Sequence, residues 1–148
     1  MNVVVYVVNI SAYDQFLGDK NYKKNCLLES MELFSSICHE KTFIQTDFVI
    51  FFNKIDEFNK KIESIPFTVF DPSFNINDSH NSQSATNYLI EQFTYRFNYN
   101  SLHEKEKKYG NLYFHEVNDS NSDEVGILLQ KVQTDVITST MKRMGYAF

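Results

Sequence analysis

The nine residues Phe48–Asp56 (FVIFFNKID) decide how this chain is read. Phe48 to Phe52 is a continuous apolar run of strand length, bounded by Asp47 and Asn53. An apolar run with no polar alternation predicts a strand buried on both faces, as in a parallel sheet. Ligands of such sheets lie beyond the carboxyl ends of the strands. The residues found there are Asn53-Lys54-Ile55-Asp56. An N-K-x-D tetrapeptide in that place has the chemistry of a guanine clamp. The Asp carboxylate accepts hydrogen bonds from the ring N–H and the exocyclic amino group, a pattern adenine does not offer. The Asn side chain meets the acceptor edge of the ring, and the Lys stem lies over the base with its ammonium in cation–π contact. Polar groups left unpaired by the wrong base give discrimination of roughly 10⁴–10⁵-fold.

Working outward, Val3–Ile10 predicts a second buried strand, because Val3–Val8 is β-branched apart from one Tyr. A turn-like Ser11–Gln15 and a polar stretch to Lys24 follow. From Cys26 to Cys38 the positions Leu27, Met31, Phe34 and Cys38 recur at helical spacing. Residues 57–80 are mixed, and Pro66 and Pro72 forbid a long helix there. Ala85, Tyr88, Leu89, Gln92, Phe93 and Arg96 form another helical stripe, with Ser82 or Ser84 as its N-cap. Asn98–Asn111 is a polar connection and Leu112–Val117 a short third strand. Val125, Leu128, Leu129, Val132, Val136 and Met144 mark a terminal helix ending near Gly145. Strands alternating with helices predict an α/β fold of about three parallel strands with flanking helices.

Composition narrows the function without choosing it. A chain of 148 residues fits one domain, and 43% hydrophobic residues suffice for a core. Lys and Arg number 14 against 19 Asp and Glu, a net charge of −5, which argues against a nucleic-acid partner. Two cysteines, Cys26 and Cys38, make no disulfide scaffold and lack zinc-site spacing with His39, so a reducing compartment is expected and no metal site. Val3–Val8 is too short for a signal core or a membrane span, and Asn2 after Met1 offers no myristoylation signal. Asn9-Ile10-Ser11, Asn77-Asp78-Ser79 and Asn118-Asp119-Ser120 match glycosylation acceptors, read here as products of Asn richness.

The wider sequence resembles the heterotrimeric G-protein alpha subunits. Ser11–Gln15 (SAYDQ) resembles the stretch after their fourth strand, and Glu29–Phe43 (ESMELFSSICHEKTF) their third helix and the following loop. Phe48–Ile62 is similar to their fifth strand, base motif and next helix, Ser64–Phe74 (SIPFTVFDPSF) to the segment beyond, and the terminal helix to their receptor-contacting helix. The resemblance implies the C-terminal part of a P-loop GTPase (Ras-like) fold over residues 1–148, from the fourth strand to the last helix, with the preceding part missing. It assigns guanine binding to Asn53, Lys54 and Asp56. Where the family has T-C-A-T-D, this sequence reads His115-Glu116-Val117-Asn118-Asp119, so the Val117 backbone N–H is expected at the guanine carbonyl. His115 itself reads as a strand-end surface residue. The resemblance also implies receptor contact through Lys142, Arg143, Tyr146 and Phe148, and G-protein beta-gamma, receptor and guanine nucleotide as partners. The implied location is cytoplasmic, including the cytoplasmic face of the plasma membrane.

The 148 residues contain no G-x-x-x-x-G-K-[ST] loop, and none of the four glycines precedes a Lys-Ser or Lys-Thr pair. That loop supplies the N–H cradle, the phosphate-binding Lys and the Mg²⁺-binding hydroxyl. The arginine finger, switch threonine and D-x-x-G-Q of the family are also missing. Asp123-Glu124-Val125-Gly126 falls at the wrong place to replace the last of these. Phosphoryl transfer depends on positioning and charge stabilisation of the phosphates. The expectation is therefore no catalytic residue, no enzyme activity, no Mg²⁺ site, and GTP or GDP bound weakly at most. The alternatives are a nucleotide-independent module that binds a receptor or effector through the terminal helix or the His39–Asp47 loop, and a truncated product without activity. An unpaired edge on the first strand predicts marginal stability or self-association.

Overall fold

The computed structural model describes residues 3–99 and 110–118. Its centre is β4 (Asp47–Asn53), in which every residue from Asp47 to Phe52 is buried. The sheet order is β1-β4-β5, with β1 (Val3–Asn9) and β5 (Leu112–Glu116) both parallel to β4. Val3 pairs with Asp47 and Asn9 with Asn53 on one side, Phe48 with Leu112 and Phe52 with Glu116 on the other. Asp47 fixes the start of this register, because its Oδ1 accepts the Asn111 amide at 2.7 Å while Phe48 N donates to Asn111 O. The architecture is the predicted three-stranded parallel α/β arrangement.

Alternation along β4 divides the core in two. Phe48, Ile50 and Phe52 join the large cluster under the helices, whereas Val49 and Phe51 face the other side with Val117, Val3 and Tyr113. The helical side is built on aromatic rings. Phe34 of α1 (Cys26–Cys38) lies 5.5 Å from Tyr6, 5.8 Å from Phe48 and 5.4 Å from Phe93 between ring centroids, and it stacks with Phe97. The last two belong to α3 (Ser82–Asn98), so one side chain joins both helices to the sheet.

Helix α1 begins and ends as its sequence predicts, and its buried positions are Leu27, Met31, Phe34 and Cys38. Its cap is Asn25, whose Oδ1 accepts the Leu27 and Leu28 amides while its Nδ2 donates to Tyr13 O at 2.7 Å. One asparagine thus closes the helix and ties it to the 3₁₀ turn Ile10–Asp14. Tyr13 is buried and donates to Ile65 O at 2.5 Å, and burial, aided by Asp14, pushes its hydroxyl well above the usual tyrosine range.

Three expectations are corrected. β1 is unevenly buried: Val8 is 1% exposed, but Val5 and Val7 are 42% and 55% exposed, since the side chains of alternate residues point to opposite faces and only the helical face is well covered among the described residues. The polar stretch after Gln15 contains an antiparallel hairpin, β2 (Phe16–Gly18) with β3 (Lys23–Asn25). Its signal is Gly18, at φ +135° and so close to Tyr22 O that no side chain fits, followed by Asp19, which accepts the Asn21 and Tyr22 amides. The N-cap of α3 is Asn81, which accepts the Ser84 amide, rather than Ser82 or Ser84. Residues 57–80 are mixed as expected, their first part belonging to the seven-residue α2 (Ile55–Lys61) and the rest irregular with two 3₁₀ turns. The terminal helix and most of the 98–111 connection lie outside the described residues.

Tyr88 of α3 donates its hydroxyl to Asp71, pinning the helix to the irregular segment. Burial and the Asp71 carboxylate push the Tyr88 pKa up to about 12. Burial alone would raise Asp71, but hydrogen bonds from Ser73 and Tyr88 outweigh it and hold Asp71 below the usual carboxylate range.

Phe34→Ala removes the ring that both helices share and is expected to cost about 3–5 kcal/mol in urea unfolding. Stability is also expected to fall on two pH limbs. The Asp71 contribution is present above its unfolded pKa of about 3.9 and lost as pH falls through the lower folded value. The Tyr88 contribution is present below about 10 and lost as pH rises towards 12. Tyr88→Phe should shrink the alkaline loss in a pH series of thermal unfolding, leaving the part due to Tyr13.

Candidate functional site

The carboxyl ends of the three strands lie side by side and carry Asn9, Asn53 and the pair Val117-Asn118. Asn9 is engaged locally, its Oδ1 accepting the Ser11 amide and hydroxyl at the start of the 3₁₀ turn. At Asn53 the backbone turns sharply into α2. Lys54 has φ 59° and ψ 41°, the left-handed region that costs a side-chain-bearing residue roughly 1–2 kcal/mol. Asn53 Oδ1 accepts the Lys54 amide at 2.9 Å and stabilises that turn. Its Nδ2 has no partner among the described residues.

Lys54 provides no side-chain cap for α2. The end of β5 caps the helix instead. Ile55 N donates to Val117 O at 3.3 Å, and Asp56 N donates to Asn118 Oδ1 at 3.1 Å. Asn118 Nδ2 then donates to Asp56 Oδ2 at 2.8 Å, so one side-chain amide holds both the backbone and the carboxylate of Asp56. Asp56 is exposed, and its other carboxylate oxygen has no partner among the described residues. The far end of α2 is fixed as well: Lys61 Nζ donates to Ser11 O at 2.7 Å and pairs with Asp14 at 3.0 Å, both partners lying in the 3₁₀ turn after β1. The result is a rigid corner with an acceptor oxygen at Asp56, a donor at Asn53 and a cationic stem at Lys54. These are the groups that a purine with adjacent N–H donors and a ring acceptor would meet.

The Val117 backbone is engaged within the protein. Its N–H donates to Phe52 O at 2.9 Å and its carbonyl accepts from Ile55, so both backbone groups are satisfied inside the protein. The parallel ladder carries one residue beyond β5 and takes up the amide that the resemblance aims at the guanine carbonyl. His115 is half-buried rather than a surface residue, its ring standing edge-on to Phe51 at 6.0 Å. Asn118 lies where the sequence places ligand-facing residues, just after the third strand, but the sequence alone does not show its hold on Asp56. Its signal is weak, because the partner it holds is 62 positions away. Lys142, Arg143, Tyr146 and Phe148 lie outside the described residues. Among the described residues no group of His, Cys, Asp or Glu could hold a metal ion, and no helix is long and apolar enough to cross a membrane.

The family model of the G-protein alpha subunit matches residues 1–137. The chain belongs to the G-protein alpha subunit family. It is 28% identical over 142 residues to the guanine nucleotide-binding protein alpha-17 subunit of Caenorhabditis elegans, covering 96% of this chain and 37% of that one. It is 30% identical over 149 residues to the alpha-3 subunit of Dictyostelium discoideum, covering 96% and 24%. With the alpha-1 subunit of Neurospora crassa it is 27% identical over 145 residues, covering 98% and 38%. The chain thus spans between about a quarter and two fifths of the length of these relatives. Membership places the sheet, the corner at Asn53–Asp56 and the flanking helices within the P-loop GTPase fold, in a family of signalling proteins.

Lys61→Met removes the charge that joins α2 to the Ser11–Asp14 turn. It is expected to cost about 1.5–3 kcal/mol, the scale of a partly buried charged hydrogen bond, measured by urea unfolding. Asp14→Asn should cost less, because Ser11 O remains as acceptor.

Proposed function

We propose that this protein is a G-protein alpha-like signalling component that reads the guanine base through Asn53, Lys54 and Asp56 and does not itself hydrolyse GTP. The observation that carries this reading is the fixed Asp56 carboxylate. Asn118 occupies one lone pair of Oδ2 and holds the group in place, leaving acceptor capacity for two donors of a base edge. Asn53 Nδ2 is available for the ring acceptor, and Lys54 stands between them in a conformation fixed by its own backbone. These residues fit a guanine base. The phosphates are another matter, since the 148 residues hold no G-x-x-x-x-G-K-[ST] motif, the source of the phosphate cradle and of its Mg²⁺-binding hydroxyl. With the base edge alone engaged, affinity is expected near millimolar, roughly −4 kcal/mol.

The same reading makes a receptor and the G-protein beta-gamma pair its partners, with Lys142, Arg143, Tyr146 and Phe148 as the receptor-contacting residues, and implies a cytoplasmic protein, the cytoplasmic face of the plasma membrane included. A second reading is favoured by the Val117 amide, which is already bonded to Phe52 O and leaves the base pocket one donor short. In that reading the protein is an interaction module that works without nucleotide.

Titration with fluorescent GDP and ADP separates the two. Weak GDP binding, weaker ADP binding and loss of the difference in Asp56→Ala support base recognition. Micromolar GDP affinity overturns the claim of a base-only site. Binding of neither nucleotide by the folded protein favours the interaction module.

A further inference from the structure

We propose that Lys61 is a positioning residue for base recognition: by its hold on the 3₁₀ turn Ile10–Asp14 it sets the seat of α2, and with it the aim of the Asp56 carboxylate. The proposal rests on the guanine-base reading given above. Asp56 stands in the first turn of α2, and Lys61 is the last residue of the same helix. Seven residues make about two turns, roughly 10 Å, too few to hold a helical direction in isolation. Where the first turn points is therefore decided by what holds the helix from outside.

Two kinds of contact hold it. Ile55, Phe58 and Ile62 are buried, and the Tyr13 ring stands edge-on to Phe58 at 5.4 Å. Apolar burial is non-directional, so it fixes how deep the helix lies more than its rotation about its own axis. The directional contacts lie at the two ends. The exit of β5 takes the first, through Val117 O and the Asn118 side chain. Lys61 takes the second, its Nζ donating to Ser11 O at 2.7 Å and pairing with Asp14 Oδ1 at 3.0 Å. Both side chains of that pair are only 18% exposed, which shields it from the water and salt that weaken surface pairs. The turn that receives Lys61 is itself fixed, since Asn25 Nδ2 donates to Tyr13 O at 2.7 Å and Cys26 N to Gln15 O at 2.9 Å. Lys61 thus ties the helix to the start of α1, and rotation of α2, which would carry Asp56 off the base edge, breaks both of its bonds. Lys60 on the same helix is exposed and has no partner among the described residues. It supplies an internal control for charge without the tie. The coupling is reciprocal: if the tied helix binds guanine better, bound guanine stabilises the tie.

GDP titration of the folded protein, followed by amide NMR shifts over about 0.1–30 mM, brackets the expected millimolar constant. Lys61→Met is expected to weaken GDP binding at least about fivefold, the lower end of ordinary coupling between sites. Lys61→Arg keeps the charge and its donors and should stay within about twofold of the parent. Lys60→Met should leave the constant unchanged. A second measurement needs no variant: saturating GDP should slow hydrogen exchange of the Ser11 and Gln15 amides, which close the turn, by a similar factor. GDP binding that Lys61→Met leaves unchanged, or that Lys60→Met weakens equally, overturns the proposal while base recognition stands. Exchange at the turn that does not respond to bound GDP does the same. A parent protein that binds no GDP overturns base recognition and the proposal with it.

Discussion

A strand with no polar face must be covered on both sides, and the structure depends on how β4 meets that condition. Its backbone groups are satisfied by parallel neighbours on either edge, and its side chains by a cluster on either face. Burying one large apolar side chain stabilises by about 1.5–3 kcal/mol, and β4 buries five of them between Phe48 and Phe52. Phe34 is the point where that demand is met on the helical side. It touches rings from β1, β4 and α3, so the two long helices are held by one contact set rather than by separate ones.

The candidate site inherits its rigidity from this core. β4 ends at Asn53 because a left-handed Lys54 turns the backbone away, and the helix that follows has only seven residues. So short a helix is marginal alone. It is held at its start by Val117 and Asn118 and at its end by Ser11 and Asp14, which belong to the two neighbouring strands' exits. The sheet therefore positions Asp56 through its edges, and the same ladder that does so uses the Val117 amide.

Much of the fold was legible because period and burial agree. Leu27, Met31, Phe34 and Cys38 are spaced for one helical face and lie on one. FVIFF is apolar throughout and buried throughout. Val3–Val8 carries a similar pattern yet is covered on one face only, because composition reports what a strand tolerates and not what stands beside it. The hairpin at Phe16–Asn25 was hidden by lysines and exposed apolar residues, which give no alternation to read. At α3 the capping Asn81 stands one residue before Ser82 and three before Ser84, the serines that suggested themselves, and which of several nearby capping residues is used depends on where the helix packs.

By itself the sequence determined the strand–helix order, the central strand and the N-K-x-D residues at its end, because each is written in local spacing and residue chemistry. Only the tertiary structure decided that Asn118 holds Asp56, that the Val117 amide is bonded to Phe52 and that Val5 and Val7 of β1 are exposed. Those facts are relations between segments distant in sequence, and hydrogen-bond satisfaction across a sheet is settled only when the strands are side by side.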